Sequence, residues 1–199
     1  MNKHLKIAAA LLVALPTLTF AQVRTEQTFE KGWKFTREDS KDFSQQTYDD
    51  TKWQSVTVPH DWAIYGPFSI ENDKQKVAIT QDGQKEALEH AGRTGGLPFV
   101  GVGWYRLNFE APAFSSGKKA PLIFDGAMSH ARVYINGQEA GFWPYGYNSF
   151  HIDATPYLKA GEQNTLAVRL ENETESSRWY PGAGLYRNVH LVINEDVHI

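Results

Sequence analysis

Two short segments of the sequence combine side chains that suit a polyhydroxylated ligand. In the first, Asp61 stands directly before Trp62, so a carboxylate that accepts hydrogen bonds from hydroxyl groups lies beside a large, flat apolar ring. Alternatively, Trp62 belongs to the core and Asp61 caps the turn that follows, which are common roles for these residue types. The segment therefore predicts either a ligand contact or a structural turn.

The second segment places Arg178 next to Trp179. A guanidinium group can bind a ligand carboxylate through two parallel hydrogen bonds. The nearby Glu173 and Glu175 offer instead a structural ion pair, which is common on protein surfaces and individually weak. Both interpretations fit the sequence, and we predict substrate-binding roles for Asp61, Trp62, Arg178 and Trp179.

The sequence lacks the motifs of several common catalytic and metal-binding sites. The chain has no cysteine, which excludes disulfides, thiol catalysis and cysteine-type zinc sites. It has no Gly-x-Ser-x-Gly motif and no glycine-rich phosphate loop before a helix. Its seven histidines show no ligand spacing such as His-x-x-x-His. We therefore predict no cofactor and no metal site in this chain.

The N-terminal segment has the layout of a secretory signal peptide. Lys3 and Lys6 precede an apolar run over residues 7–15, and the small residue Ala21 precedes Gln22. The run is shorter than the about 20 apolar residues that cross a bilayer. We predict cleavage after Ala21, export to the periplasm or the extracellular medium, and no membrane association afterwards.

The overall charge is mildly acidic. The formal net charge of the chain is −3 at pH 7, and cleavage of a signal peptide that carries two lysines makes it more negative. Nucleic-acid binding depends mainly on neutralising phosphates with basic residues. We therefore predict that nucleic acid is not a partner.

The elements that must position these residues are short strands. Apolar runs with turn residues between them are typical of an all-β protein, and Asn136-Gly137 predicts a tight hairpin turn. Asp153 is predicted to cap a single turn, and residues 48–52 are predicted to form a turn or a short helix. The predicted strands are Phe29–Phe35, Trp53–Val58, Trp104–Phe109, Leu122–Asp125, His130–Ile135, Gln138–Trp143, Asn164–Leu170 and Arg187–Ile193.

Many short strands without intervening helices predict an antiparallel β-sandwich over residues 22–199. Residues 71–97 are predicted to be a long loop or insertion, in which residues 85–91 can form a short helix. A loop of this length in a compact domain is usually functional or disordered. The high aromatic content, with 6 Trp, 9 Tyr and 11 Phe, suits a sandwich core that has no disulfides.

Several motifs, in this order, closely resemble the N-terminal jelly-roll domain of family 2 glycoside hydrolases, which include β-galactosidases, β-glucuronidases and β-mannosidases. The resemblance begins near residue 29 and continues to the C-terminus. The motifs that carry it are Val58-Pro59-His60-Asp61-Trp62, Gly103-Trp104-Tyr105-Arg106, Phe124-Asp125-Gly126-Ala127-Met128-Ser129, Val133-Tyr134-Ile135-Asn136-Gly137, Tyr145-Gly146-Tyr147-Asn148-Ser149-Phe150 and Arg178-Trp179-Tyr180-Pro181-Gly182-Ala183-Gly184-Leu185-Tyr186-Arg187.

The resemblance implies a jelly-roll sandwich similar to galactose-binding domains, most like that of a β-galactosidase. In the family the catalytic glutamates lie on a (β/α)₈ barrel, which needs about 250 residues and is not expected in this chain. The resemblance therefore implies a non-catalytic domain that forms one wall of the active-site pocket, with a terminal β-linked sugar and the downstream domains of a parent chain as its partners. Some β-galactosidases have Asp where this chain has Arg178, which keeps a uronic acid as an alternative substrate.

Other functions stay open as alternatives. The domain can act as a stand-alone carbohydrate-binding module, or it can belong to a β-glucuronidase or a β-mannosidase. A purely structural interaction domain is the third class of function that the motifs allow.

Overall fold

The computed structural model describes residues 24–69, 71–72, 74–90, 99–174 and 182–195. Within these residues all regular structure consists of strands and three short 3-10 helices, at Lys41–Ser44, Trp62–Tyr65 and Thr80–Asp82. The strands are β1 Arg24–Thr28, β2 Trp33–Thr36, β3 Gln54–Val56, β4 Gln75–Val77, β5 Leu88–His90, β6 Gly101–Glu110, β7 Lys118–Lys119, β8 Pro121–Phe124, β9 Ala131–Ile135, β10 Gln138–Trp143, β11 Phe150–Asp153, β12 Gln163–Asn172 and β13 Val189–Glu195.

Two antiparallel sheets form a sandwich, which confirms the predicted fold class. One has the order β1-β13-β8-β11, with β7 also paired to β13, and the other has the order β10-β9-β12-β6-β2-β3. The longest pairing joins β6 and β12 over ten residues, from Gly101↔Asn172 to Glu110↔Gln163. The predicted hairpin is present at Asn136-Gly137, which joins β9 to β10 with positive φ angles of 52° and 85°.

The first predicted strand, Phe29–Phe35, is wrong over residues 29–32 and is confirmed over Trp33–Phe35. The backbone turns at Gly32, which has a φ of +87°, so β1 ends at Thr28 and β2 begins at Trp33. The interruption places β1 in one sheet and β2 in the other. A glycine in the left-handed region allows this change of direction without a Cβ clash.

The segment predicted as a long loop contains a small hairpin of its own. β4 and β5 pair antiparallel, with Gln75 opposite His90. Leu88–His90 is a strand, so the predicted helix over residues 85–91 is wrong for its described part. Residues 91–98 lie outside the described residues.

The core lies between the two sheets and is rich in aromatic residues. In β8, β9 and β11 the buried residues alternate with more exposed ones, as expected for strands with one buried face. Trp33, Trp62, Tyr105 and Phe124 are fully buried. Their burial supplies the packing that replaces covalent cross-links in this cysteine-free chain.

A second, smaller apolar cluster covers the outer face of β6. Trp104 packs there against Phe43 from the first 3-10 helix. Arg106, which is 1% exposed, holds this segment to the sheet: its Nε donates to Asp50 Oδ2 at 2.8 Å, and its Nη1 donates to the carbonyl oxygens of Phe43 and Gln45. Both faces of β6 are therefore covered around these residues.

Candidate functional site

Asp61 fixes the start of the turn that carries the first predicted site. Its Oδ1 accepts a hydrogen bond from the backbone N–H of Ala63 at 2.9 Å and another from the backbone N–H of Ala183 at 3.0 Å. The first bond caps the 3-10 helix Trp62–Tyr65, as the capping interpretation of Asp61 predicts. The second joins the turn to the last part of the sandwich, so one carboxylate positions two segments.

Trp62 points into the core. It is 0% exposed, its ring stacks on Phe35 with a centroid distance of 5.5 Å, and a Cβ on Gly103 would come within 2.5 Å of its ring. Its Nε1 has no hydrogen-bond partner among the described residues. This burial agrees with the packing role that the sequence also allowed for Trp62, and sugar contact by this residue stays a prediction.

Arg178 and Trp179 lie outside the described residues, so their substrate-binding role also stays a prediction. The residues that flank this segment are anchored beside the Asp61 turn. The side chain of Asn172 donates to the carbonyl oxygen of Gly182 at 2.9 Å, and the next residue, Ala183, donates to Asp61. Both flanks are buried.

His60, the residue before Asp61, and Tyr105 form a polar pair that was not predicted from the sequence. The hydroxyl of Tyr105 lies 2.7 Å from Nδ1 of His60, and the backbone N–H of His60 donates to the carbonyl oxygen of Leu185 at 2.7 Å. Burial, followed by the positive charge of Arg37, lowers the pKa of His60 below its usual value of 6.5. Burial raises the pKa of Tyr105 well above its usual value.

Large apolar side chains in and just after the same turn are exposed to solvent. Ile64, Tyr65 and Phe68 are 56%, 70% and 60% exposed, although Trp62 beside them is fully buried. Tyr65 stacks on His60 with a centroid distance of 5.9 Å. A cluster of large apolar residues on a surface marks a place of contact with another molecule or domain. The run of apolar letters in the sequence was the available signal for this surface.

Asp61 does not line the larger grooves that the described residues form on the surface. A groove of about 540 Å³ lies instead on the outer face of the five-stranded sheet. Its lining includes Arg24, Ile123, His151 and Asp153 and does not include Asp61. We place the candidate site at the Asp61 turn because two of the predicted residues, Asp61 and Trp62, lie there and because Asp61 joins two distant segments by hydrogen bonds.

Two further observations concern the described residues only. No group of three or more His, Asp or Glu side chains in the described ranges is arranged to hold a metal ion. No helix in the described part of the chain has the length and apolar character needed to cross a membrane. The Asp61 turn offers a carboxylate, a hydrogen bond between the partly buried His60 and the buried Tyr105, and an apolar surface, which suit binding.

Comparison with known proteins gives one consistent family. Residues 27–194 match the model described as "Glycosyl hydrolases family 2, sugar binding domain". A β-galactosidase of Bacteroides ovatus is 39% identical over 94% of this chain, and a putative β-glucuronidase of Formosa agariphila is 37% identical over 96% of it. The chain spans only 20% and 17% of the lengths of these two relatives.

Solved structures agree with the sequence relatives. A glycosyl hydrolase family 2 member from Bacteroides cellulosilyticus superposes with a TM-score of 0.71 and 32% identity, over 85% of this chain and 20% of that one. The range of the family model, residues 27–194, includes strands of both sheets and the Asp61 turn. The chain therefore belongs to glycosyl hydrolase family 2, as a sugar binding domain of that family.

Proposed function

We propose that this chain is the N-terminal, non-catalytic domain of an exported, retaining β-glycosidase that hydrolyses terminal β-linked sugars. The observation that carries the proposal is the match of residues 27–194 to the sugar binding domain of the family. The chain covers only 20% of the length of its β-galactosidase relative, so that relative has much sequence outside this domain. Hydrolysis of a glycosidic bond needs two carboxyl groups that flank the bond. We assign both groups to the remainder of the parent protein.

The proposed contribution of this domain is one wall of the substrate pocket, at the Asp61 turn. Oδ1 of Asp61 is held by two backbone N–H groups, so the carboxylate has a fixed orientation. A fixed carboxylate at a pocket rim can accept hydrogen bonds from sugar hydroxyls at a small entropic cost. Arg178 and Trp179 lie in the chain between Asn172 and Gly182. The hydrogen bond from Asn172 to Gly182 holds the two ends of this segment together near the Asp61 turn.

The exposed apolar surface of Ile64, Tyr65 and Phe68 supports the same arrangement. We propose that it packs against the remainder of the parent protein and so brings the Asp61 turn to the pocket. The three side chains are between 56% and 70% exposed in this chain. Burial of such side chains stabilises each by about 1.5–3 kcal/mol, which favours a permanent contact between domains.

The proposed substrate is a terminal β-galactoside. The β-galactosidase relative is 39% identical to this chain, which supports this choice. A β-glucuronide is the second candidate, because the putative β-glucuronidase relative is 37% identical and because Arg178 has the chemistry to bind a carboxylate. Export of the domain is proposed from the signal-like residues 1–21.

The proposal is tested in the parent enzyme, with Asp61→Asn as the variant. Asparagine keeps an oxygen for the N–H groups of Ala63 and Ala183 and removes the charge, so the turn should persist. We expect a higher KM for aryl β-galactosides. The matched control is Asp153→Asn, which alters another capping carboxylate that accepts from Thr155 N at 3.0 Å.

Two results would contradict the proposal. One is equal kinetics for Asp61→Asn and Asp153→Asn, which would remove Asp61 from the pocket. The other is turnover of an aryl β-galactoside by the purified 199-residue chain alone, which would show that the chain is itself catalytic. The same assay with aryl β-glucuronides decides between the two substrate candidates.

A further inference from the structure

A cluster of exposed aromatic residues lies outside the Asp61 turn and outside the proposed pocket wall. Tyr145 and Tyr147 are 56% and 41% exposed, and their rings lie 5.5 Å apart at an angle of 56°. Tyr186 stands next to them, and the guanidinium of Arg187 lies 5.5 Å from its ring centroid. We name these four residues the tyrosine surface.

The loop that carries Tyr145 and Tyr147 is held in place on several sides. The hydroxyl of Tyr186 donates to the carbonyl oxygen of Gly146 at 2.6 Å. The side chain of Met128 fills the space that a Cβ on Gly146 would occupy. Trp143 Nε1 donates to Asn148 Oδ1 at 3.1 Å, which closes the loop from its other side. Two exposed aromatic rings are therefore positioned before any ligand arrives, which lowers the entropic cost of binding.

The chemistry of the tyrosine surface fits a carbohydrate. The exposed rings of Tyr145 and Tyr147 offer apolar faces to the C–H groups of a sugar, and a phenol is a group that combines such a face with a polar edge. Arg187 adds several donors in a planar arrangement that can bind hydroxyls or a carboxylate. The surface of Ile64, Tyr65 and Phe68 is more apolar, and it suits contact with protein better.

Direct contacts connect the tyrosine surface to the Asp61 turn. Gly146 packs on Met128, and Met128 exchanges two backbone hydrogen bonds of 3.0 Å with Gly184. The residue before Gly184 is Ala183, which donates to Asp61. The tyrosine surface is therefore separated from the Asp61 turn by only a few contacting residues, a short separation that an oligosaccharide can span.

We propose that the tyrosine surface is a second carbohydrate-binding site, which contacts units of a β-linked oligosaccharide beyond the terminal one. The inference rests on the proposed function, and it extends the substrate class from small glycosides to oligosaccharides. All four residues belong to this chain, so the site does not depend on other domains. Binding by the 199-residue chain itself is therefore the appropriate measurement.

The test is a calorimetric titration of this chain with two probes, β-1,4-galactotetraose and a β-linked tetrasaccharide that contains glucuronate, with free galactose as the reference ligand. We expect binding of at least one tetrasaccharide and none of galactose. Tyr147→Ala and Tyr145→Ala should each weaken that binding about tenfold, the effect expected when a ring contact is lost. Phe142→Ala is the matched control, because Phe142 is 43% exposed but lies under Arg132.

Three results would overturn the inference. They are no binding of either tetrasaccharide, unchanged binding after both tyrosine substitutions, and an equal loss of binding after Phe142→Ala. Thermal unfolding of each variant verifies that the fold persists, as expected for substitutions at exposed positions. The Asp61→Asn kinetics in the parent enzyme are measured separately from this titration, so failure of the proposed function can be distinguished from failure of this inference.

Discussion

Asp61 and Ala183 lie 122 positions apart in the chain, and the carboxylate of Asp61 accepts the backbone N–H of Ala183 at 3.0 Å. The same oxygen accepts the N–H of Ala63. Ala63 and Ala183 are both fully buried. One side chain thus satisfies two buried donors from distant parts of the sequence, and its role in stability can be separated from its proposed role in sugar binding.

Replacement of Asp61 by Ala should lower the free energy of unfolding by about 1–3 kcal/mol, because the helix loses its cap and two backbone donors lose their acceptor. Asp61→Asn should cost much less, since its amide oxygen can accept both bonds. Urea unfolding of the two variants measures the difference. Equal losses would show that the negative charge, and not the acceptor, stabilises the turn.

Replacement of Gly103 by Ala should destabilise the fold by about 1–3 kcal/mol, because the new methyl group overpacks the site against Trp62. Its Cβ would lie 2.5 Å from Cζ3 of that ring. The double variant with Trp62→Phe should be more stable than the sum of the two single effects predicts, by about 1 kcal/mol. Strict additivity in urea unfolding would contradict a direct contact between these residues.

Replacement of Arg106 by Met should lower the free energy of unfolding by about 3–5 kcal/mol, because Asp50 and several carbonyl oxygens lose a buried partner. Hydrogen exchange should rise in residues 41–50, which Arg106 holds to the sheet. Arg132→Met is the control: its ion pair with Glu139 is exposed on both sides, and it should cost no more than about 1 kcal/mol. Similar losses for the two arginines would contradict this difference.

The stability of the fold should depend on pH through His60. Its pKa is lowered in the folded state, so the unfolded state binds the proton more readily. The contribution of this group to the free energy of unfolding is complete above its ordinary pKa of about 6.5, and stability falls as the pH drops below that value. The decrease reaches its limit below the folded-state pKa.

Urea unfolding at about pH 7.5 and about pH 5.5 measures this effect, since the two values lie on either side of the ordinary pKa of histidine. His60→Gln should show a smaller loss of stability between the two conditions than the natural chain. His151→Gln, which removes an exposed imidazole, is the control. A pH dependence that is unchanged by His60→Gln would rule out this residue as the source.

Local sequence signals predicted the parts of the fold that depend on neighbouring residues. Asn136-Gly137 predicted a hairpin because both positions need positive φ, and both have it. Asp153 was predicted to cap a turn, and its Oδ1 accepts from Thr155 N. The strand prediction failed at Gly32, where the chain passes from one sheet to the other between Phe29 and Trp33.

The candidate site depends on contacts between distant residues, which a single sequence does not reveal. Residue type alone does not tell that Trp62 is buried while Ile64 and Tyr65, in the same turn, are exposed. That division depends on Gly103, which leaves room for the indole ring 41 positions later in the chain. The contact between Asp61 and Ala183 likewise exists only once the sheets have assembled.

The pairing of β1 with β13 has a consequence for how this sandwich combines with other proteins. Arg24, at the start of β1, lies opposite Asn194, near the end of β13. The two ends of the described sandwich thus lie side by side at one corner of it. Units with adjacent ends can be transferred between genes, inserted into loops or circularly permuted with short linkers. Because Arg24 and Asn194 lie side by side, short linkers at this corner suffice to join the sandwich to another domain at either end or to insert it into a loop.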